Sequence, residues 1–196
     1  MKTYKISNKQ RVIEVAANLF IQKGYTYTSM DEVVQKSEVS KSNVYYHFSN
    51  KEELLLAVID YWIDAYQIKI EEMLEQNNLS LKKRMVNFLN SLGDSVEQRN
   101  YQGSCPFITF IIQTPKDDLI VREKVNGFFD YLILICTDLI EQGIEANELK
   151  PDINAKEVAE LFVNNLEGAL FLAEIKKNKQ LITATAESLF KLLVLE

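Results

Sequence analysis

Residues 29–51 read SMDEVVQKSEVSKSNVYYHFSNK, and the reading of the whole chain turns on how this stretch folds. Ser29 followed by Glu32 forms a capping box, the serine oxygen accepting a backbone N–H and the glutamate reaching back to the cap, so a helix begins at Met30. Val33 and Val34 turn inward and the helix stops near Ser37. Ser40 caps a second helix, in which Val44 and Phe48 lie four residues apart on one face and anchor it. Lys41, Ser42, Asn43, Tyr45, Tyr46 and His47 are left pointing outward, with hydrogen-bonding or flat aromatic groups and little apolar area to bury. A DNA major groove admits one helix and offers such groups base edges and phosphates. The stretch reads as a helix-turn-helix.

Working outward, Ser7 and Gln10 form a second capping box, opening a helix over residues 8–23 that ends at Gly24. Its Val12, Ala16, Leu19 and Phe20 recur at helical steps and pack beneath the motif. Downstream, Ser49 and Glu52 cap a long helix, SNKEELLLAVIDYWIDAYQIKIEEMLEQ, with an apolar face of Leu55, Val58, Trp62, Tyr66 and Ile70. At about 40 Å it is long enough to leave the head and enter the remainder of the chain. No Pro or Gly interrupts it, so a push at one end tilts the other.

The phrase VSKSNVYYHFSNKEELL, residues 39–55, resembles the signature of the TetR family of bacterial transcriptional regulators, and the likeness extends from Lys9 to Leu56. It implies an all-α fold of about nine helices, in which a three-helix DNA-binding head precedes a helical body for dimerisation and small-molecule binding. The boundary falls at residue 50, giving a head of 1–50 and a body of 51–196. By this resemblance the DNA-contacting positions are Thr28, Ser29, Lys41, Ser42, Asn43, Tyr45, Tyr46, His47 and Lys51. Lys41 and Asn43 suit bases, since lysine favours guanine and asparagine adenine; Tyr45, Tyr46, His47 and Lys51 suit the backbone. One position departs from the family: Ser37-Glu38 stands where most relatives carry Ala-Gly. A left-handed backbone at Glu38 costs roughly 1 kcal/mol.

Charge divides the same way. Residues 1–51 hold eight Lys or Arg (Lys2, Lys5, Lys9, Arg11, Lys23, Lys36, Lys41, Lys51) against four acids, a net +4 that leaves −10 on the rest. A basic head joined to an acidic body suits a DNA binder whose positive charge is local. The chain length allows one or two small domains with a real core. The N-terminal residues lack a signal-like apolar run and no stretch suits a membrane span, so the expected compartment is the cytoplasm, with Cys105 and Cys136 reduced.

The body is read more coarsely. Residues 81–99 are amphipathic and end at YQGSCP, residues 101–106. That Gly-x-Cys-Pro is similar to one subgroup of the family, where it opens the sixth helix beside the ligand pocket. Residues 107–113 are apolar enough that periodicity alone does not separate helix from buried strand; the helical surroundings favour helix. Residues 119–142 are apolar nearly all round, as in a helix covered on more than one side, and helices over residues 155–176 and 181–195 close the chain. Cys105 reads as a buried filler, a thiol-sensing role being the alternative.

An effector pocket is drawn from Trp62, Tyr66, Phe88, Cys105, Phe107, Phe110, Ile111, Phe128, Tyr131 and Asn165, a set suited to a largely apolar compound, although the same aromatics also make an ordinary core. The phrase LEGAL, residues 166–170, resembles the family's eighth helix, whose small residues let two subunits approach closely. The homodimer interface expected there comprises Leu161, Leu166, Gly168, Ala169 and Ala173, with Ala186, Leu189 and Phe190 on the last helix. Small residues inside a core helix make the same pattern.

The partners implied are thus palindromic operator DNA read in the major groove, a small effector and a second copy, with no membrane and no cofactor. A body that docks a protein in place of an effector is the competing reading. An enzyme finds little support: there is one histidine, no cluster at metal-ligand spacing, no Gly-rich phosphate loop and no nucleophile setting. Glu71, Glu72, Asp117 and Asp118 read as solvated faces.

Overall fold

The structure, a computed structural model, describes residues 6–115 and 118–194. Lys2, Lys5, Asp117 and Leu195, all weighed above, lie outside the described residues. Among the described residues the regular structure is entirely helical: α1 (Asn8–Leu19) with a π-helical continuation (Phe20–Gly24), α2 (Met30–Ser37), α3 (Lys41–His47), α4 (Lys51–Leu74), α5 (Leu81–Gln98), α6 (Pro106–Gln113), α7 (Leu119–Glu145), α8 (Ala155–Lys176) and α9 (Gln180–Leu193). The all-α expectation holds, and the segment left open between helix and strand is the helix α6. None of these helices is long and apolar enough to cross a membrane.

Two compact units form. The first takes the residues up to Ala65 together with Pro106–Val125, and the second Tyr66–Cys105 together with the residues from Asn126 onward. As a packed unit the head therefore reaches past residue 50 to include the start of α4, all of α6 and the start of α7.

In the first unit α1 packs on both α2 and α3. Val12, Ala16 and Phe20 meet Val33, Val44 and Phe48 in a buried core, as their helical spacing requires. Ser7, Ser29 and Ser40 accept the N–H of Gln10, Glu32 and Asn43, respectively. Only that half of each capping box forms, because Gln10 turns to Glu14 and the Glu32 carboxylate pairs with Lys23 at 2.6 Å. At the start of α4 the cap lies one residue later than the sequence suggested. Asn50 Oδ1 accepts the Glu53 N–H, while Glu53 Oε2 accepts the N–H of Ser49, the residue before the cap, at 2.8 Å each.

In the second unit α9 packs against α5 and α8. The buried stripe Leu81, Met85, Phe88, Leu92 and Val96 of α5 meets Ile182, Ala186 and Phe190 of α9. The Leu81 N–H donates to Glu148 Oε2 at 2.7 Å and Lys150 Nζ to the Leu192 carbonyl at 2.9 Å, so the α7–α8 link ties down both the start of α5 and the end of α9. The expectation for α7 is corrected. Its Phe128, Leu132, Cys136, Leu139 and Ile140 are buried, but Leu134 is 58% exposed, so one face is covered and another is not.

Candidate nucleic-acid interface

Two buried side chains hold α3: Val44 is fully covered and Phe48 nearly so. Everything between them on the opposite face is presented outward. Lys41, Ser42, Tyr45 and Tyr46 are exposed, Tyr46 at 81%, and His47 is half-buried with its ring edge-on to Tyr46 at 5.0 Å between centroids. The turn preceding α3 places Glu38 at φ 56°, ψ 22°, the left-handed conformation, so the turn keeps its geometry without the glycine. An exposed ion pair from Arg11 Nη2 to Glu38 Oε2 at 2.5 Å offsets part of the strain.

The groups on α3 are pre-set in different ways. Lys41 Nζ lies 2.8 Å from Asp31 Oδ1 and 5.7 Å over the Tyr45 ring, and its hydrogen bond to Asp31 raises its pKa. Both side chains of this pair are exposed and screened by solvent, so the pairing leaves the ammonium able to exchange Asp31 for another acceptor. Asn43 is half-buried, with Oδ1 enclosed and lacking a hydrogen-bond partner. Bidentate pairing with adenine needs both amide atoms, so the side chain has to rotate outward on binding.

Two assignments around the entrance to α2 change, those of Thr28 and Lys51. Ser29 is exposed and caps α2, leaving the Met30 and Asp31 N–H groups at an accessible helix N-terminus. Thr28, in contrast, is 1% exposed and its hydroxyl donates to the Gly24 carbonyl at 2.9 Å, so it shapes the loop and offers no hydroxyl to DNA. Lys51 is also turned inward. Its Nζ donates to the Tyr25 and Thr28 carbonyls at 3.1 Å each and to that of Thr26 at 3.5 Å, and lies 4.4 Å over the Tyr25 ring. The physical reason is supply and demand: this irregular loop has carbonyls without helical partners, and an ammonium can satisfy several at once. Sequence reading passed over Tyr27, 76% exposed beside the α2 N-terminus. The alternation of Tyr and Thr over residues 25–28 did not mark it, since Tyr25 and Thr28 face in while Thr26 and Tyr27 face out.

The effector candidates divide between the units. Phe107 and Phe110 are buried, and Trp62 and Ile111 half-buried, in the first. In the second, Tyr66, Phe88, Cys105 and Phe128 are buried, with the Tyr66 and Phe128 rings edge-on at 5.7 Å, while Tyr131 is half-buried. Asn165 is not with them: it is exposed on α8, its Nδ2 donating to the Leu161 carbonyl at 2.7 Å. Two charged residues that were not anticipated, Arg99 and Glu167, accompany Tyr66 and Cys105. Burial raises the Tyr66 hydroxyl pKa, with Cys105 and Glu167 adding to the effect and Arg99 opposing it. Burial likewise pushes the Glu167 carboxyl up to about 7 against a hydrogen bond with Cys105, and its Oε2 is enclosed without a hydrogen-bond partner. A lone acid inside the apolar run of α8 was the available signal. Burial pushes the Cys136 thiol up to about 12, which leaves it unreactive.

The expected dimer residues also separate. Leu166, Ala173, Ala186 and Phe190 are at most 2% exposed and Ala169 is 8%, so they mainly join α8 to α9 within the protomer. Leu161, Gly168 and Leu189 instead border an open groove of about 630 Å³ on the outer side of α8 and α9, together with Leu172, Leu181 and Leu192. A Cβ added at Gly168 would meet nothing within 4 Å.

Comparison with known proteins accords with this geometry. Residues 12–58 match the family described as bacterial regulatory proteins, tetR family, and residues 82–189 match the tetracyclin repressor-like C-terminal domain. Among relatives, the HTH-type transcriptional repressor DhaR of Mycobacterium sp. (strain GP1) is 22% identical over 92% of this chain and 91% of its own. The HTH-type transcriptional regulator QacR of Staphylococcus aureus (strain Mu50 / ATCC 700699) is 46% identical over 26% of this chain and 28% of its own. A TetR transcriptional regulator from Chloroflexus aurantiacus J-10-FL superposes with a TM-score of 0.82 at 25% identity, covering 96% of this chain and 97% of that one. The regulatory protein TetR from Rhodobacter sphaeroides gives 0.84 at 20%, covering 94% and 98%. These are transcriptional regulators and not enzymes, and this chain, a DNA-binding regulator with a helix-turn-helix head, belongs to the TetR family.

Proposed function

We propose that the protein is a homodimeric cytoplasmic repressor that reads a palindromic operator with α3 and is released by a small, largely apolar effector. The observation that carries the reading is the divided surface of α3, anchored by Val44 and Phe48 and exposing Lys41, Ser42, Tyr45 and Tyr46. One head reads only a half-site, and two heads about 34 Å apart read consecutive major grooves. The open groove along α8 and α9, with Leu161, Leu172 and Leu192 at 49%, 44% and 70% exposure, supports pairing through that surface. The buried Tyr66, Cys105 and Phe128, accompanied by Arg99 and Glu167, support an effector that is mostly apolar with one polar group. Effector and operator then favour different conformations, and each weakens the other by the same factor.

Fluorescence anisotropy tests the reading, using duplexes selected from random DNA, a salt series and scrambled competitor. Tight binding that resists competitor and falls steeply with salt supports operator recognition. Failure of selection to enrich any sequence sinks it. Loss of binding on adding small molecules separates effector control from a body that docks a protein.

A further inference from the structure

The loop between α1 and α2 is held from outside the three-helix head. Gln113, the last residue of α6, accepts the Tyr25 N–H on its side-chain Oε1 at 2.5 Å, and its carbonyl accepts the Thr26 hydroxyl at 3.3 Å. The partners are 88 and 87 residues away in sequence. Gly24 makes the contact possible in two ways. Its φ of +100° turns the chain out of the π-helical segment, and a Cβ there would stand 3.3 Å from the Gln113 Oε1. Thr28 fastens the far side of the loop back to the Gly24 carbonyl, and Lys51 fills the remaining carbonyls. The result is a short loop held through the Tyr25 N–H, the Thr26 and Thr28 hydroxyls and the Tyr25, Thr26 and Thr28 carbonyls, leading directly to Ser29 and the N-terminus of α2.

We infer that Gln113 is a positioning residue for DNA binding: its side chain sets the α1–α2 loop so that the N-terminus of α2 meets a phosphate. This rests on the reading of the head as the operator-binding unit. The bonds of Gln113 go to Tyr25 and Thr26 in the α1–α2 loop, so the effect acts on backbone contact and leaves base discrimination alone. Of the acids facing this N-terminus, Glu32 is paired with Lys23, and Asp31 is paired with Lys41 in the free protein. The required atom is an acceptor, because the Tyr25 N–H donates. Glutamate supplies it, whereas methionine and alanine do not.

The test compares wild type, Gln113→Met and Gln113→Glu, each first checked for unchanged mass and helicity, on a duplex selected with the wild-type protein. Gln113→Met is expected to weaken operator binding about tenfold. It should also lower the slope of log affinity against log salt by about 1, one phosphate contact's worth. The ratio of affinities for the operator and a base-substituted operator stays unchanged, and Gln113→Glu restores both affinity and slope. Wild-type affinity and slope in Gln113→Met overturn the inference, as does an equal loss in Gln113→Glu. Should Gln113→Met fold poorly, the Gln113→Glu arm decides through the Tyr25 amide: hydrogen-exchange protection there persists if the acceptor is what matters and disappears if it is not. If wild type itself selects no sequence, the operator reading fails and the inference falls with it, an outcome distinct from Gln113→Met binding as wild type does.

Discussion

Lys51→Met separates two physical roles for one lysine. A phosphate-gripping lysine waits in solvent, so removing it changes the stability of the free protein by less than about 0.5 kcal/mol. In the structure Nζ makes two hydrogen bonds of 3.1 Å to the Tyr25 and Thr28 carbonyls and lies 4.4 Å over the Tyr25 ring. Hydrogen bonds from a charged donor contribute about 1.5–3 kcal/mol each, and the ring contact about 0.5–1. The site is half-buried, so the ammonium keeps some hydration and the sum is discounted; a loss of roughly 2–3 kcal/mol is expected for Lys51→Met. For a chain of this length that lowers the melting temperature by about 4–10 °C. Thermal unfolding by circular dichroism without DNA measures it, with Lys51→Arg as the companion. A planar guanidinium cannot converge on the same carbonyls, so the arginine variant falls between the other two. Wild-type melting for Lys51→Met would refute the account and return the residue to the DNA surface.

Other outcomes follow from the same geometry. Asn43→Ala and Tyr46→Ala abolish specific operator binding while analytical ultracentrifugation still finds the dimer; binding at wild-type strength by either would misplace the recognition helix. A Cβ at Gly168 meets nothing within 4 Å, so Gly168→Leu is expected to preserve helicity and melting of the monomer while blocking pairing across the α8 and α9 groove, seen as a halved mass. Gly143→Ala places a Cβ 2.6 Å from Leu81 Cδ2 and 3.0 Å from Leu149 Cδ1, and costs about 1–3 kcal/mol in urea unfolding. The Glu167 carboxyl titrates at about 7 when folded and near 4.3 when unfolded, so between those values the folded state binds more protons and stability falls as pH rises. Glu167→Gln removes that slope, and urea unfolding at pH 5 and pH 8 should show the variant gaining on the order of a few kcal/mol at the higher pH only. A parallel pH dependence in the variant would assign it elsewhere.

The head was legible because its signals are local. Serines before the helices, Val44 and Phe48 at helical spacing, and a polar aromatic strip between them depend on neighbours within a turn or two, so residues 29–51 alone specified two helices and their outward face. At Glu38 the cost of a left-handed backbone was legible for the same reason, as a property of one residue, but that the turn keeps this geometry without glycine came from the structure. The caps themselves were only partly legible. Whether Glu32 reaches back to its own helix or across to Lys23 depends on what α1 places beside it.

Longer-range matters belonged to the tertiary structure alone. Lys51 carries a group that suits phosphate, and only the packing of α4 beside the loop turned it onto three carbonyls. Leu166 and Gly168 are two residues apart on α8, yet the first is sealed beneath α9 and the second is open, because a helix turns about 100° per residue and α9 covers one side. Arg99 and Gln113 gave no local sign of their roles, and Glu167 only that of an acid within an apolar run. Each acts through partners supplied by other helices, and the pairing of a side chain with a backbone N–H 88 residues away is encoded only in the fold that joins them.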